Sequence, residues 1–559
     1  MKNSAKKIIS LVLCFVFVFS LLPLNAAAES TGFTEKTTLS ADLAEYIKSA
    51  FYAAKTQAGI EGTFLGSDKY TSGASSTGTD WLALAMGRFG KVNGDGTVLH
   101  LVDDGTGYDD YLSAMKTYIE KTYTKNNGLL HRVKATEWHR AAVTVSALGG
   151  NSEKFGIYNG NDIDLIADGS YNCVISAGPG KQGINGWIWG LISLDAQRTE
   201  VPENAKYTRE RMITELLQMQ YADGGWALFG NSSDVDITAM VIQALAPYCT
   251  DETEYTYENR KTGETVTKTV KKCVEEALDK LGSMMNENGG FASWGSENAE
   301  SISQVIVALT AVGIDPAADS RFISSTGKTP LDGLLQFRLP SGGFSHTLSS
   351  DFNSMANDQA TYALVSYWRF ENGLRSLYDM VPEMTEEENA KVEAAEKAIN
   401  EIPDRDAENF KEKTAEALKA YEEVADGDRR YIKGHNLLAS YIDLAGGKEE
   451  IKKAEEALEA KKELENAKNE ALEELKKYGN VSERLLAAAR EEIAAATTKE
   501  DVAAALEKVR NAVPSTPETT PEVKPENPGT ADTILPLTAT IAILSLSATA
   551  LLIKKKKEI

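Results

Sequence analysis

Apolar residues along this chain fall into two kinds of helical run. One kind is apolar nearly all round. DITAMVIQAL from Asp236 is the clearest case, entered through the turn QYADGGW at Gln220 and stopped by Pro247. A helix without a polar face is a buried helix. Five further segments align on it: DWLALAMGRF from Asp80, HRAAVTVSAL from His139, NGWIWGLISL from Asn185, ESISQVIVAL from Glu300 and DQATYALVSY from Asp358. Their spacing, roughly 45 to 65 residues, is that of a repeat architecture. The other kind of run is amphipathic and sits between these segments, as at Tyr111–Thr124, Thr208–Gln220 and Lys271–Met285. Glycine turns lead into the apolar partner at Asn126-Asn127-Gly128, Asp223-Gly224-Gly225-Trp226, Asn288-Gly289-Gly290-Phe291 and Ser341-Gly342-Gly343-Phe344. Hairpins of this kind bury their apolar members in an inner ring sheathed by the amphipathic ones. The pattern therefore predicts an all-α protein built on an (α/α)6 toroid over residues 31–382, with an open solenoid as the competing architecture.

Beyond Glu383 the pattern changes sharply. Nearly every residue is Ala, Glu, Lys, Leu or Arg. Residues 386–446 read as a three-helix module with breaks at Ile402-Pro403-Asp404 and Asp426-Gly427-Asp428. Residues 447–512 read as a second helical module, broken at Tyr478-Gly479-Asn480 and after Ala496. Neither carries a histidine cluster or a nucleophile with a base, and a stalk is the role expected of them, with protein binding as the alternative. The formal net charge of −23 argues against a nucleic-acid partner, because phosphates are repelled.

The two ends suggest export and anchoring. Residues 1–28 have the basic start, apolar middle and small-residue end of a secretory signal. Residues 513–529 form a Pro/Thr/Glu spacer. Within 527–559 an apolar stretch at 534–553, long enough to span a bilayer as a C-terminal transmembrane helix, is followed by Lys554–Lys557. The expectation is a cell-surface protein of Gram-positive type, held by the cell wall or by a single membrane span. Cys249 and Cys273 bracket a polar stretch that reads as a short hairpin, and a bridge between them is left open. Cys173 reads as a buried small side chain. No cofactor or metal set is apparent.

If the inner helices run parallel, their first residues meet at one mouth. Those residues are Asp80, His139, Asn185, Asp236, Glu300 and Asp358, all polar above mostly apolar positions. Trp81, Glu137, Trp138, Arg140, Trp187, Trp189 and Asp234 stand beside them. This predicts a polar and aromatic rim above an apolar well. Helix capping is the competing use of Asp80, Asn185, Asp236, Glu300 and Asp358. An ion pair of Arg140 with Glu137 or Asp80 is the competing use of the arginine, and core filling that of the tryptophans.

Two motifs resemble the squalene-cyclase and prenyltransferase superfamily. Gln220-x-x-x-Gly224-x-Trp226 resembles the QxxxGxW repeat of triterpene cyclases. Asp234-Val235-Asp236-Ile237-Thr238-Ala239 resembles their DxDDTA acid motif, with Ile237 in place of the last Asp. The resemblance implies the α/α toroid. It places Asp236 on the proton-donating acid and Asp234 on the carboxylate before it, with Trp187 and Trp189 as walls able to stabilise a carbocation. His139 is the histidine that could approach Asp236. The same toroid also serves simply to hold ligands. The expectation is thus a surface-anchored binder of a small or amphipathic extracellular ligand, with a class II terpene-cyclase-type enzyme acting on an isoprenoid as the alternative. Asn527-Pro528-Gly529-Thr530-Ala531-Asp532 resembles a sortase signal, which implies sortase as a transient partner and peptidoglycan or membrane attachment. Residues 386–444 resemble the three-helix modules of Gram-positive surface proteins.

Overall fold

The structure, a computed structural model, describes residues 36–102 and 106–513. The expected signal, spacer, sorting motif and transmembrane segment lie outside the described residues. No helix among the described residues is long and apolar enough to cross a membrane. The chain is predominantly helical, with four two-stranded hairpins as its sheet content among these residues. It divides into two compact units at residues 459 and 460.

In the first unit, the described residues to 382 include thirteen α-helices: α1 (Lys36–Gln57), α2 (Asp68–Thr71), α3 (Asp80–Arg88), α4 (Tyr108–Lys125), α5 (Thr136–Ala147), α6 (Leu165–Gly169), α7 (Ile184–Asp195), α8 (Arg209–Leu217), α9 (Val235–Leu245), α10 (Val270–Met284), α11 (Ala299–Ala311), α12 (Pro330–Leu335) and α13 (Ser354–Glu371). The six apolar segments are α3, α5, α7, α9, α11 and α13. Each packs on the next, and α13 packs back on α3. The helices run side by side in the same direction, as matched ends show. Near the N-terminal ends, Arg140 reaches Asp80, and Ser293 before α11 reaches Asp236 on α9. At the C-terminal ends, Tyr248 reaches Asp195, Thr310 reaches Ser366, and Arg369 reaches the carbonyl of Arg88.

A repeated turn explains how each outer helix hands over to its inner partner. In three repeats the same two backbone bonds recur: Tyr221 N to Gly225 O and Gly224 N to Tyr221 O; Asn286 N to Gly290 O and Gly289 N to Asn286 O; Leu339 N to Gly343 O and Gly342 N to Leu339 O. Gly224, Gly289 and Gly342 have φ of +89°, +79° and +90°, where a Cβ is strained. A Cβ would also strike the next outer element: Glu276 of α10, Thr329 before α12, and Ser49 of α1 respectively. The last of these hands the third turn back to the first outer helix.

The QxxxGxW residues are the brace of the first such turn. Gln220 Nε2 donates to the carbonyls of Gly224 and Cys273, and the buried Trp226 indole donates to Leu216 O at 2.8 Å. Phe291 and Phe344 take the equivalent fully buried places. The expected hairpin is present as β5 (Glu254–Glu258) and β6 (Thr265–Thr269), after β1 (Gly90–Val92), β2 (Val98–His100), β3 (Ile157–Tyr158) and β4 (Asn161–Asp162) and before β7 (Ala292–Ser293) and β8 (Ser296–Glu297). Cys173, Cys249 and Cys273 are free buried thiols, so the bridge left open between Cys249 and Cys273 is not formed. Burial pushes the Cys249 thiol up to about 12, which makes it inert.

After α13 a strap, residues 374–383, crosses the C-terminal ends of the inner helices. Arg88 holds it through the carbonyls of Leu377 and Asp379, and Leu377 and Met380 are buried. The first three-helix module, α14 (Glu386–Asn400), α15 (Phe410–Glu422) and α16 (His435–Leu444), docks beneath this strap. Asp379 accepts from Arg430, Arg198 and Tyr431, while Asp428 accepts from Arg375 and Arg198. The module keeps its own core of Val392, Ile399, Phe410, Ile432 and Leu438. The boundary expected near 446 falls at Gly446-Gly447, just before one long helix, α17 (Lys448–Leu475), whose Ile451 still belongs to the core of the first module. In the second unit, the end of α17 packs with α18 (Glu483–Ala495) and α19 (Lys499–Arg510) around Leu475, Ile493 and Val509.

Candidate functional site

Helix geometry decides which side chains reach the inside of the ring. Residues four apart share a face, so the first and fifth positions of each apolar segment point the same way. At the fifth positions stand Leu84, Val143, Trp189, Met240, Gln304 and Tyr362. Trp189 and Met240 remain half-buried within a ring of buried helices, because they face its interior. Trp81 meets Trp189 with centroids 5.0 Å apart and Tyr362 at 6.3 Å; Trp189 in turn meets Tyr378 of the strap at 5.5 Å. The Tyr362 hydroxyl and Gln359 receive the amide of Gln304, and Gln243 Nε2 donates to Gln304 Oε1 at 3.0 Å. The interior is therefore an aromatic chamber with a band of amides, closed below by the strap.

At its N-terminal side three neighbouring helices contribute acids. Asp236 of α9 accepts from Ser293 Oγ at 3.0 Å through Oδ2, and its Oδ1 is buried without a partner among the described residues. Glu300 of α11, buried, contacts His346 Nδ1 at 2.9 Å with both oxygens. Asp358 of α13 is 4% exposed, and burial alone pushes its carboxyl well above the usual carboxylate range. Burial, then the nearby Tyr378, Asp358 and Asp236, raise the Tyr362 hydroxyl, which places both aspartates close to the aromatic wall.

None of these three is a helix cap. Asp234, Asn298 and Asn353 perform that work, accepting from the amides of Ile237, Ser301 and Ala356. Asp234, matched to the second motif carboxylate, is thus a capping residue, bonded also to Leu228 N. The capping use expected of Asp236, Glu300 and Asp358 is replaced by caps two to five residues earlier, so none of the three carboxylates is tied to a helix amide.

Other rim residues turn elsewhere. Asp80 is fully buried between the layers. It accepts from Arg140 Nε at 2.8 Å, from the Tyr111 hydroxyl and from Ser75 N, so it is an ion-pair partner rather than a cap. Arg140 also binds Glu137 at 2.7 Å; burial opposes its charge, but Asp80 and Glu137 more than offset this and its pKa is raised. His139 does not approach Asp236. Its Nε2 lies 2.8 Å from Gly169 O, an acceptor only, so Nε2 carries the proton; burial holds its pKa down at about 4 and the ring is neutral. Trp138 points outward and donates to the Tyr123 hydroxyl. Trp187 packs on Tyr207 and over Gly180, so of the two expected tryptophan walls only Trp189 faces the chamber. Asn185 is half-buried, with Oδ1 unpartnered among the described residues.

Sequence reasoning missed Tyr362, Tyr378 and Gln304. The signal for Tyr362 and Gln304 was their place four residues after Asp358 and Glu300; Tyr378, on a non-repeating strap, gave none. No group of three or more metal-ligating side chains occurs among the described residues. No protein-family model matches the chain, and a search of curated proteins returns no match.

Proposed function

We propose that the ring of the first unit is an (α/α)6 toroid of the squalene-cyclase and prenyltransferase type, acting as a receptor that binds a small or amphipathic extracellular ligand in its chamber. The observation that supports this most is the pairing of Asp236 and Asp358, freed from capping, with an aromatic wall of Trp81, Trp189 and Tyr362. Concave, largely apolar sites with a few convergent polar groups are where small molecules bind. The secretory signal and the sorting motif expected from the sequence place this receptor at the surface of a Gram-positive-type cell, with sortase as a transient partner. The test is titration of the full chain with the neutral amphiphile N-phenyl-1-naphthylamine, following energy transfer from tryptophan. Saturable binding lost in Trp189→Ala supports the reading; a response unchanged by that substitution refutes it.

A terpene-cyclase-type reaction is the second reading, favoured by Asp236 standing beside the aromatic wall. Ile237, buried, leaves that acid without the adjacent carboxylate of the motif, and Ser293 is its one hydrogen-bond donor among the described residues. Incubation with polyprenyl substrates decides it: a cyclised product formed by the wild type and absent with Asp236→Asn establishes the enzyme.

A further inference from the structure

Two carboxyl groups of the chamber have no cation in its own walls to pair with. Asp358, 4% exposed, has no hydrogen-bond or ion-pair partner among the described residues, and Asp236 keeps Oδ1 buried and unpaired. Arg140, the cation on ring helix α5, is committed to Asp80 and Glu137. His346 is committed to Glu300. A carboxylate in a dry site is unfavourable without a counter-charge, and aromatic faces attract cations.

Next to these acids the surface is apolar. Trp294 is 75% exposed and Phe229 63%, with ring centroids 5.3 Å apart; Met355 and Leu348 are 55% and 54% exposed. Each is tied in sequence to the acid chamber. Trp294 follows Ser293, which bonds Asp236; Leu348 lies two residues after His346, which bonds Glu300; Met355 lies within a turn of Asp358. Trp294 also sits at φ +54°, an uncommon conformation for a bulky side chain.

We infer that the ligand of this chamber is an amphiphilic organic cation, with a substituted ammonium head between Asp358, Asp236 and the faces of Trp81 and Tyr362, and an apolar tail lying across Trp294 and Phe229. This rests on the ligand-binding reading above and adds the ligand's chemical class. A substituted ammonium suits the site better than a metal ion, because its alkyl surface fits the aromatic wall and the acids stand singly on separate helices. The acidic chamber and the chain's net charge of −23 disfavour an anionic lipid surface as the occupant of the rim.

Calorimetric titration of the full chain with octyltrimethylammonium, 1-octanol and octanesulfonate tests the inference. The expected result is saturable binding of the ammonium probe, at least about 10-fold tighter than octanol, with the sulfonate weakest. Asp358→Asn and Asp236→Asn, both isosteric, each weaken the ammonium probe about 10-fold and leave octanol unchanged. Equal binding of all three probes, unmoved by either substitution, overturns the cation assignment and leaves the receptor reading standing. Failure of every probe to bind overturns both. Association seen only with anionic vesicles also overturns the cation assignment, in favour of membrane docking. Should a variant not fold, the wild-type order among the three probes decides the matter alone.

Discussion

Arg140 Nε donates to Asp80 Oδ2 at 2.8 Å with both side chains buried, so the two neighbouring inner helices α3 and α5 are joined by a desolvated ion pair. The pair is further satisfied by Tyr111, Ser75 and Glu137. Removing one partner strands the other in a dry site. Arg140→Met is expected to destabilise the first unit by about 3–5 kcal/mol, read by urea denaturation, because Asp80 is left buried and unpaired. A loss below about 1 kcal/mol contradicts this placement of the pair.

His139 gives the fold a pH dependence with a definite sign. Its folded pKa of about 4 lies below the ordinary value of 6.5, so between these limits the unfolded chain binds the proton that the folded chain refuses. Stability therefore rises with pH through this window and is lost as pH falls from about 6.5 towards 4, by about 3 kcal/mol in all. His139→Gln retains a donor for Gly169 O and should flatten that part of the profile. An unchanged slope in denaturation between pH 4.5 and 7 contradicts a buried neutral imidazole.

Gly342 tests how the ring returns to its first outer helix. At φ +90°, with Ser49 Cβ 2.8 Å from where its own Cβ would lie, the position excludes a side chain twice over. Gly342→Ala is expected to destabilise the first unit by about 1–3 kcal/mol in denaturant unfolding. The control is Gly62→Ala, at φ +89° but with nothing near its Cβ, whose smaller loss isolates the contact from the conformational strain. Equal losses at the two sites show that the contact with α1 is unimportant.

Asp379 is the hinge between ring and module. Burial would raise its carboxyl, but Arg430, Arg198 and Arg375 outweigh that and hold it well below the usual range. Asp379→Ala leaves Arg430 without its carboxylate partner and Arg198 and Arg375 with Asp428 alone, and should cost about 3–5 kcal/mol. The informative readout is limited proteolysis. Cleavage near residues 383–385, absent in the wild type, is expected as the module separates. A variant cut no faster than wild type argues that the apolar contacts of the strap suffice.

The inner helices and the glycine turns were legible because each follows from local rules: periodicity and positive φ. Which way a residue at the start of an inner helix faces was not. Trp187 and Trp189 are two apart, so a helix necessarily sends them to different sides, yet the sequence does not say which side is inward. Asp80 and Asp358 occupy the same repeat position, but Tyr111 and Arg140 draw the first between the layers while nothing draws the second. The docking of the three-helix module was hidden for a similar reason. Arg198, Asp379 and Asp428 are far apart in the chain, and their meeting is a property of tertiary structure alone.

Reaction of an engineered cysteine inside the ring examines the chamber most directly. Met240 lies four residues after Asp236 on the inward face of α9, and the three native thiols among the described residues are buried. Met240→Cys in the full chain is treated with a trimethylammonium-ethyl methanethiosulfonate and, separately, with its sulfonatoethyl counterpart. An open, acidic chamber predicts modification by the cationic reagent about 10-fold or more faster than by the anionic one, the preference shrinking in Asp358→Asn. A cysteine that reacts with neither reagent, or with both at the same rate whatever stands at 358, contradicts the account.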